Sequence, residues 1–164
     1  MRREPKAVAP RMPASYGVPT DAAGAERLPW SWAVELLLAA RNYWVCTTKA
    51  DGRPHAVPVW GLWLDDAVWF STGRTSQKAR NLARGRSVVI HLESGDETVI
   101  LEGEVDEVGD LAALERFADA YEAKYEFRPD PEDESSVVFV LRPRVAQTWR
   151  ERDYTQSAAR WVFE

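Results

Sequence analysis

The chain has 164 residues, with 21 Lys and Arg against 26 Asp and Glu, giving a net charge of −5. That length suits one domain, the 45% hydrophobic content excludes wholesale disorder, and the acidic balance argues against nucleic acid as a partner. The one cysteine, Cys46, excludes an intrachain disulfide and a multi-cysteine zinc scaffold. No apolar run approaches the ~20 residues of a membrane span, so the expectation is a cytoplasmic protein with no membrane partner. Eight tryptophans are the compositional anomaly, and pockets for flat rings are one use for them.

Residues 1–28 hold Pro5, Pro10, Pro13 and Pro19 with few large apolar groups, and read as a flexible N-terminal arm. The cofactor-binding domain is then expected over 29–164. Pro29-Trp30-Ser31 reads as a helix start with Ser31 as cap, and Val34, Leu37 and Leu38 continue at helical spacing over 31–40. Tyr43 to Thr48 is β-branched and aromatic, a strand signal, and Asp51-Gly52 marks a hairpin turn. His55 to Leu64 is a second strand, Asp65-Asp66 a turn, and Ala67 to Thr72 a third strand, so the three form an antiparallel meander.

The period changes from Thr75 to Ala83, where Thr75 or Ser76 can cap a short helix that Gly85 ends. Ser87 to Leu92 and Thr98 to Val108 are the fourth and fifth strands. Asp110 can cap a helix whose Leu111, Leu114, Ala118, Tyr121 and Tyr125 share a face, Pro129 to Glu134 is an acidic loop, and a sixth strand runs from Val137 to Leu141 or on to Trp149. Six strands without βαβ alternation favour a mainly β chain with short helices, an α+β antiparallel barrel, closed or partly closed.

Between Arg74 and Arg86 stand five basic residues and no acidic one. A helix N-terminus there supplies free N–H groups and a partial positive charge, the hydroxyls of Thr75 and Ser76 add donors, and Lys78 adds a full charge. Together these describe an anion site suited to a phosphate, set against the plain reading of a capped helix with a solvated basic face. The strand Val57-Pro58-Val59-Trp60-Gly61-Leu62-Trp63 alternates between two faces. Pro58 within it marks an edge or a broken ladder, where a flat heterocycle can bond to free backbone groups. The plain reading is that Trp60, Trp63 and Trp69 are barrel core. His55 and His91 lie in no spacing that makes a metal site.

His55 to Trp60, Trp69 to Arg74 and Ser76-Gln77-Lys78-Ala79-Arg80-Asn81-Leu82 resemble the core of the pyridoxamine 5′-phosphate oxidase-like flavoproteins, including their deazaflavin-using actinobacterial branch. The resemblance covers roughly residues 31 to 149. It implies a six-stranded split β-barrel of the FMN-binding type and a homodimer with cofactor sites at the subunit interface. By the resemblance Val57, Pro58, Val59 and Trp60 line the ring of FMN, with the deazaflavin coenzyme F-420 as the alternative. Ser71 and Thr72 lie beside the ribityl chain, and Ser76, Gln77 and Lys78 hold the phosphate. Arg74 would assist, because Gln77 stands where the family commonly has a basic residue, and Trp149 would close the pocket from across the interface. The implied activity is hydride transfer to or from a small-molecule substrate. The Arg/His substrate motif near the C-terminus of true pyridoxamine phosphate oxidases is not found, so that specific activity is not expected. The competing expectations are a non-enzymatic flavin- or haem-binding protein on the same fold, with His55 or His91 as haem ligand, and an interaction protein whose aromatic surface only dimerises.

Overall fold

The computed structural model describes residues 4–19 and 27–164. Eight strands form one antiparallel sheet: β1 (Lys6–Val8), β2 (Asn42–Thr48), β3 (Pro54–Leu64), β4 (Ala67–Gly73), β5 (Ser87–His91), β6 (Glu97–Glu107), β7 (Ser136–Arg150) and β8 (Ala159–Val162). The hydrogen-bonded order is β1-β8-β7-β4-β3-β2-β5-β6, and β6 returns to pair with β7 from Glu97 to Glu107. Six of the strands therefore close into a barrel, as the meander reading expects.

The other two strands are additions the sequence reading did not include. β8 pairs with Val145–Thr148 of β7, and Lys6–Val8 pairs with β8 in turn. So part of the N-terminal arm is an edge strand, whereas positions 1–3 and 20–26 of that arm lie outside the described residues.

Local chemistry sets the turns. The β3–β4 hairpin places Asp65 at φ 53° and Asp66 at φ 57°, the left-handed pair a two-residue turn requires, and aspartate tolerates that conformation better than most side chains. In β6 the pairing with β7 shifts at Glu102/Gly103; a Cβ on Gly103 would stand 2.7 Å from the Arg142 carbonyl oxygen, so the bulge needs glycine.

Alternation divides β3 as the sequence pattern requires. Val59 and Trp63 point into the barrel with Tyr43, Val45, Phe70, Ile90, Leu101 and Leu141, whereas Leu62 points outward. Helix α1 (Trp30–Ala39) plugs the inner core with Trp30, Ala33 and Leu37, and Trp30 meets Trp63, Trp161 and Phe163 through edge-on and tilted ring contacts. Its N-cap is Pro29, with no side-chain cap bond, in place of the expected Ser31. Helix α3 (Leu111–Tyr125) covers the outside of β3, β4 and β7 with Phe117, Ala118, Tyr121 and Tyr125. Asp110 caps it through the Ala113 N–H at 2.8 Å as expected, but Leu111 is turned to solvent and Phe117 takes the packing position.

Candidate functional site

The barrel comes apart at one place. β3 pairs with β2 over Pro54–Trp60 and with β4 only over Gly61–Leu64. Beyond Gly61 and Phe70 the two neighbouring strands part, and Ser71, Thr72 and Gly73 keep only their pairing with Val138, Val137 and Ser136 of β7. The edge of β3 from His55 to Trp60 that would face β4 is therefore without a strand partner.

Gly61 fixes which groups line that edge. Its N–H donates to the Tyr125 hydroxyl at 3.0 Å, and the same hydroxyl lies 2.7 Å from the Arg41 carbonyl ahead of β2. Gly61 thus turns its polar groups toward β2. Alternate residues of a strand share an edge, so Val57 and Val59 also face β2, while Pro58 and Trp60 face the parting. Pro58 carries no N–H, so it loses no ladder bond there. Trp60 is 37% exposed, with its ring stacked on Tyr125 at 4.7 Å and the Arg41 guanidinium 5.1 Å above its face. Trp63 and Trp69 are core, as the plain reading holds for them; Trp60 is not.

A cluster of donors sits at the end of the parting. Helix α2 (Gln77–Arg84) begins directly after β4, and the Ser76 hydroxyl caps it by accepting the Ala79 N–H at 3.2 Å. Thr72 donates to the Ser76 hydroxyl at 3.1 Å, and Lys78 donates to the Thr72 hydroxyl at 3.0 Å. The N–H groups of Gln77 and Lys78 precede the first intrahelical bond, from Arg80 to the Ser76 carbonyl, and so belong to the unsatisfied first turn. Burial holds the Lys78 ammonium below its ordinary pKa, and no carboxylate is paired with it among the described residues. A half-buried cation, two hydroxyls and a helix N-terminus without an acidic side chain form the donor set an anion requires. The helix is pinned by Asn81, which is buried, accepts from Gln77 at 2.8 Å and donates to Thr47 of β2 at 2.8 Å.

The structure brings Val57, Pro58, Val59, Trp60, Ser71, Thr72, Ser76, Gln77 and Lys78 to this one region. Arg74 is held elsewhere. Its guanidinium pairs with Glu107 at 2.7 Å and donates to the Glu134 carbonyl at 3.0 Å. Gln77 is likewise engaged, between Asn81 and Arg80. Trp149 pairs with Thr98 near the far end of β7, twelve residues beyond the Val137 that pairs with Thr72, or roughly 40 Å of extended strand. One chain does not carry Trp149 to the donor cluster.

The sequence pattern assigned Tyr125 only a packing role and His55 only the alternative role of haem ligand, and it singled out neither Lys124 nor the cleft beside Ser71. Tyr125 and Lys124 meet the Gly61 peptide from α3. His55 Nδ1 is buried with no hydrogen-bond partner, on the same strand as the free edge. A cleft of about 890 Å³ also opens beside Ser71, between α3 and the acidic loop, walled by Phe117, Tyr121 and Phe127.

A six-stranded antiparallel barrel partly opened between two of its strands is a split barrel. The chain belongs to the pyridoxamine 5′-phosphate oxidase family, whose model matches residues 33–150. Among solved structures it is similar to the conserved hypothetical protein Rv2991 from Mycobacterium tuberculosis, with 25% identity, a TM-score of 0.69, and 81% of this chain and 91% of that one covered. An F420 reductase matches at 23% identity and TM-score 0.56, over 68% of this chain and 94% of that one. A protein related to general stress protein 26 from Clostridium acetobutylicum matches at 17% identity and TM-score 0.61, over 74% and 87%. No curated protein sequence matches the chain. Among the described residues no helix is long and apolar enough to cross a membrane, and no group of His, Cys, Asp or Glu is placed to hold a metal ion.

Proposed function

We propose that this protein is an oxidoreductase that binds a phosphate-bearing flavin, FMN in the first instance and the deazaflavin coenzyme F-420 as the alternative. One observation carries the reading: the parting of β3 from β4 ends on the Thr72–Ser76–Lys78 donor cluster. The fit with such a group rests on this chain's own atoms. Lys78 and the α2 N-terminus meet the negative tail, the hydroxyls of Thr72 and Ser76 add donors, and the free edge at Pro58 and Trp60 offers backbone groups to the rim of a flat ring. The buried, unpartnered Nδ1 of His55 adds a polar group on that strand. The bound ring would supply the hydride chemistry. The protein would orient it, keep water from one face, and place a small-molecule substrate against the other. An F420 reductase shares the fold, which keeps the deazaflavin beside FMN.

The working unit is a homodimer with the cofactor between copies. Two features support this. Trp149 is too far along β7 to reach the donor cluster of its own chain. The outward face of β2, β3 and β5 leaves Trp44, Cys46, Val89 and His91 only partly covered and Pro58 exposed. Equilibrium sedimentation is expected to give twice the chain mass.

Titration with FMN and with coenzyme F-420, followed by fluorescence and absorbance, tests the cofactor reading. Saturable one-to-one binding of either by the protein, weakened in Lys78→Ala, is the expected result. Protein that binds neither overturns it.

A further inference from the structure

We propose that Tyr125 and Lys124, at the C-terminal end of α3, are positioning residues that hold the Gly61 peptide where β3 leaves β4 and so set the free edge that receives the ring. The proposal rests on the cofactor reading above for its functional half; its structural half stands alone.

Gly61 is where β3 changes partner. The β2–β3 ladder ends at Asn42 and Trp60, and the β3–β4 ladder begins at Gly61 and Phe70. The next rung with β2 would join Arg41 to Gly61, and the Tyr125 hydroxyl occupies that rung. It accepts the Gly61 N–H at 3.0 Å and lies 2.8 Å from the Gly61 carbonyl and 2.7 Å from that of Arg41, donating its proton to one of them. Lys124 gives the Gly61 carbonyl a second donor at 3.1 Å, with its ammonium 5.1 Å from the Tyr43 ring and 5.3 Å from the Tyr125 ring. Space at residue 61 is tight as well, since a Cβ there would stand 3.1 Å from both the Trp69 carbonyl oxygen and the Tyr43 ring. The adjoining residue, Trp60, stacks on the same Tyr125 with the planes 1° apart. Side chain and backbone at the head of the free edge are thus both fixed by the last two residues of α3.

This clamp is sensitive to pH. The ionisable groups facing Lys124 are Tyr125 from its own helix, Tyr43 from β2 and Arg41 ahead of β2. Burial raises both tyrosines, and raises nearby Tyr121 to about 12. Lys124 itself is pulled by burial to about 8 and has no carboxylate partner among the described residues. Within the clamp, only Lys124 changes charge between pH 6.5 and 9.5, and its loss of charge weakens the bond to the Gly61 carbonyl.

The test uses the full chain. In Tyr125→Phe, which keeps the ring, the Gly61 amide is expected to exchange about tenfold faster in ¹⁵N-resolved hydrogen exchange. The Gly61 carbonyl ¹³C resonance is expected to titrate with a midpoint near 8 in the wild type and to lose that step in Lys124→Met. The dissociation constants for FMN and coenzyme F-420, measured from pH 6.5 to 9.5, are expected to rise several-fold through the same midpoint in the wild type. Relative to Lys124→Arg, whose side chain stays charged, the wild-type constants should rise through that midpoint, and those of Lys124→Met should be raised by about the same factor at every pH. Lys78 also titrates below its ordinary range, but it is common to all three proteins and cancels. Unchanged Gly61 exchange in Tyr125→Phe, or the same carbonyl titration in Lys124→Met, overturns the clamp. A cofactor profile identical in all three proteins overturns its functional half. Wild-type protein that takes up neither cofactor at any pH fails the cofactor reading instead, and with it the functional half, while the Gly61 measurements still decide the clamp.

Discussion

Helices α2 and α3 both begin after a strand and both carry a side-chain cap, yet their N-termini are chemically opposite. Asp110 caps α3 with a carboxylate, which already offsets the positive end of the helix dipole. Ser76 caps α2 with a neutral hydroxyl, shared with Thr72 and standing beside the ammonium of Lys78. The first end is electrostatically closed and serves stability. The second is left short of negative charge, and it sits where the barrel parts. A cap's charge, more than its presence, decides whether a helix start is left open to an anion.

The sharpest way to break that contrast is Ser76→Asp. Aspartate caps as well as serine, so α2 should remain folded with little change in Tm. The new carboxylate would neutralise Lys78 and repel an anionic tail, and FMN affinity is expected to fall by roughly 100-fold or more. Retained affinity in a folded variant would place the anion site elsewhere. Lys78→Ala removes the cation without adding a repulsive charge, and the expected loss is about 10- to 150-fold, as for one charge-assisted contact. The reciprocal change, Asp110→Ala, should leave cofactor affinity untouched and cost about 1 kcal/mol of stability, a drop of about 2–4 °C in Tm.

The same helix α3 that closes its start with a carboxylate ends with a strained cation. Burial lowers the pKa of Lys124 from 10.5 to about 8, so the folded state disfavours the charged form. That penalty is complete below pH 8 and is relieved as pH rises from 8 toward 10.5. Lys124→Met should therefore melt higher than the wild type at pH 7, and the difference should shrink by pH 10. A difference that does not change with pH would mean the ammonium carries no burial penalty.

The sequence showed these sites unequally, and the reason is range. Ser76, Lys78 and Asp110 act on residues within six positions of themselves, so spacing alone reveals them. Pro58 announces a broken ladder because proline has no N–H. Tyr125 read only as one more packing residue, because a hydroxyl that fills a rung 64 residues away leaves no local pattern. The six barrel strands were legible from alternation. β1 and β8, three and four residues long, are too short to alternate visibly and form only by pairing with each other and with β7. Ser31 was misplaced as a cap because Pro29 takes the cap position two residues earlier and the helix begins at Trp30.

Arg74 gives the smallest effect and the finest test. In the sequence it lies two residues before Ser76, inside a run of cations with no acid, and so reads as a reserve for the phosphate. In the structure Glu107 and the Glu134 carbonyl, both distant in sequence, hold its guanidinium. The pair is about half exposed on both sides, which limits its worth to between 0 and about 1 kcal/mol. Arg74→Ala should accordingly change FMN affinity less than about threefold and Tm only slightly. A tenfold loss would show that Arg74 leaves Glu107 when the anion arrives. In that case Glu107→Gln, which frees the guanidinium without removing it, should tighten binding.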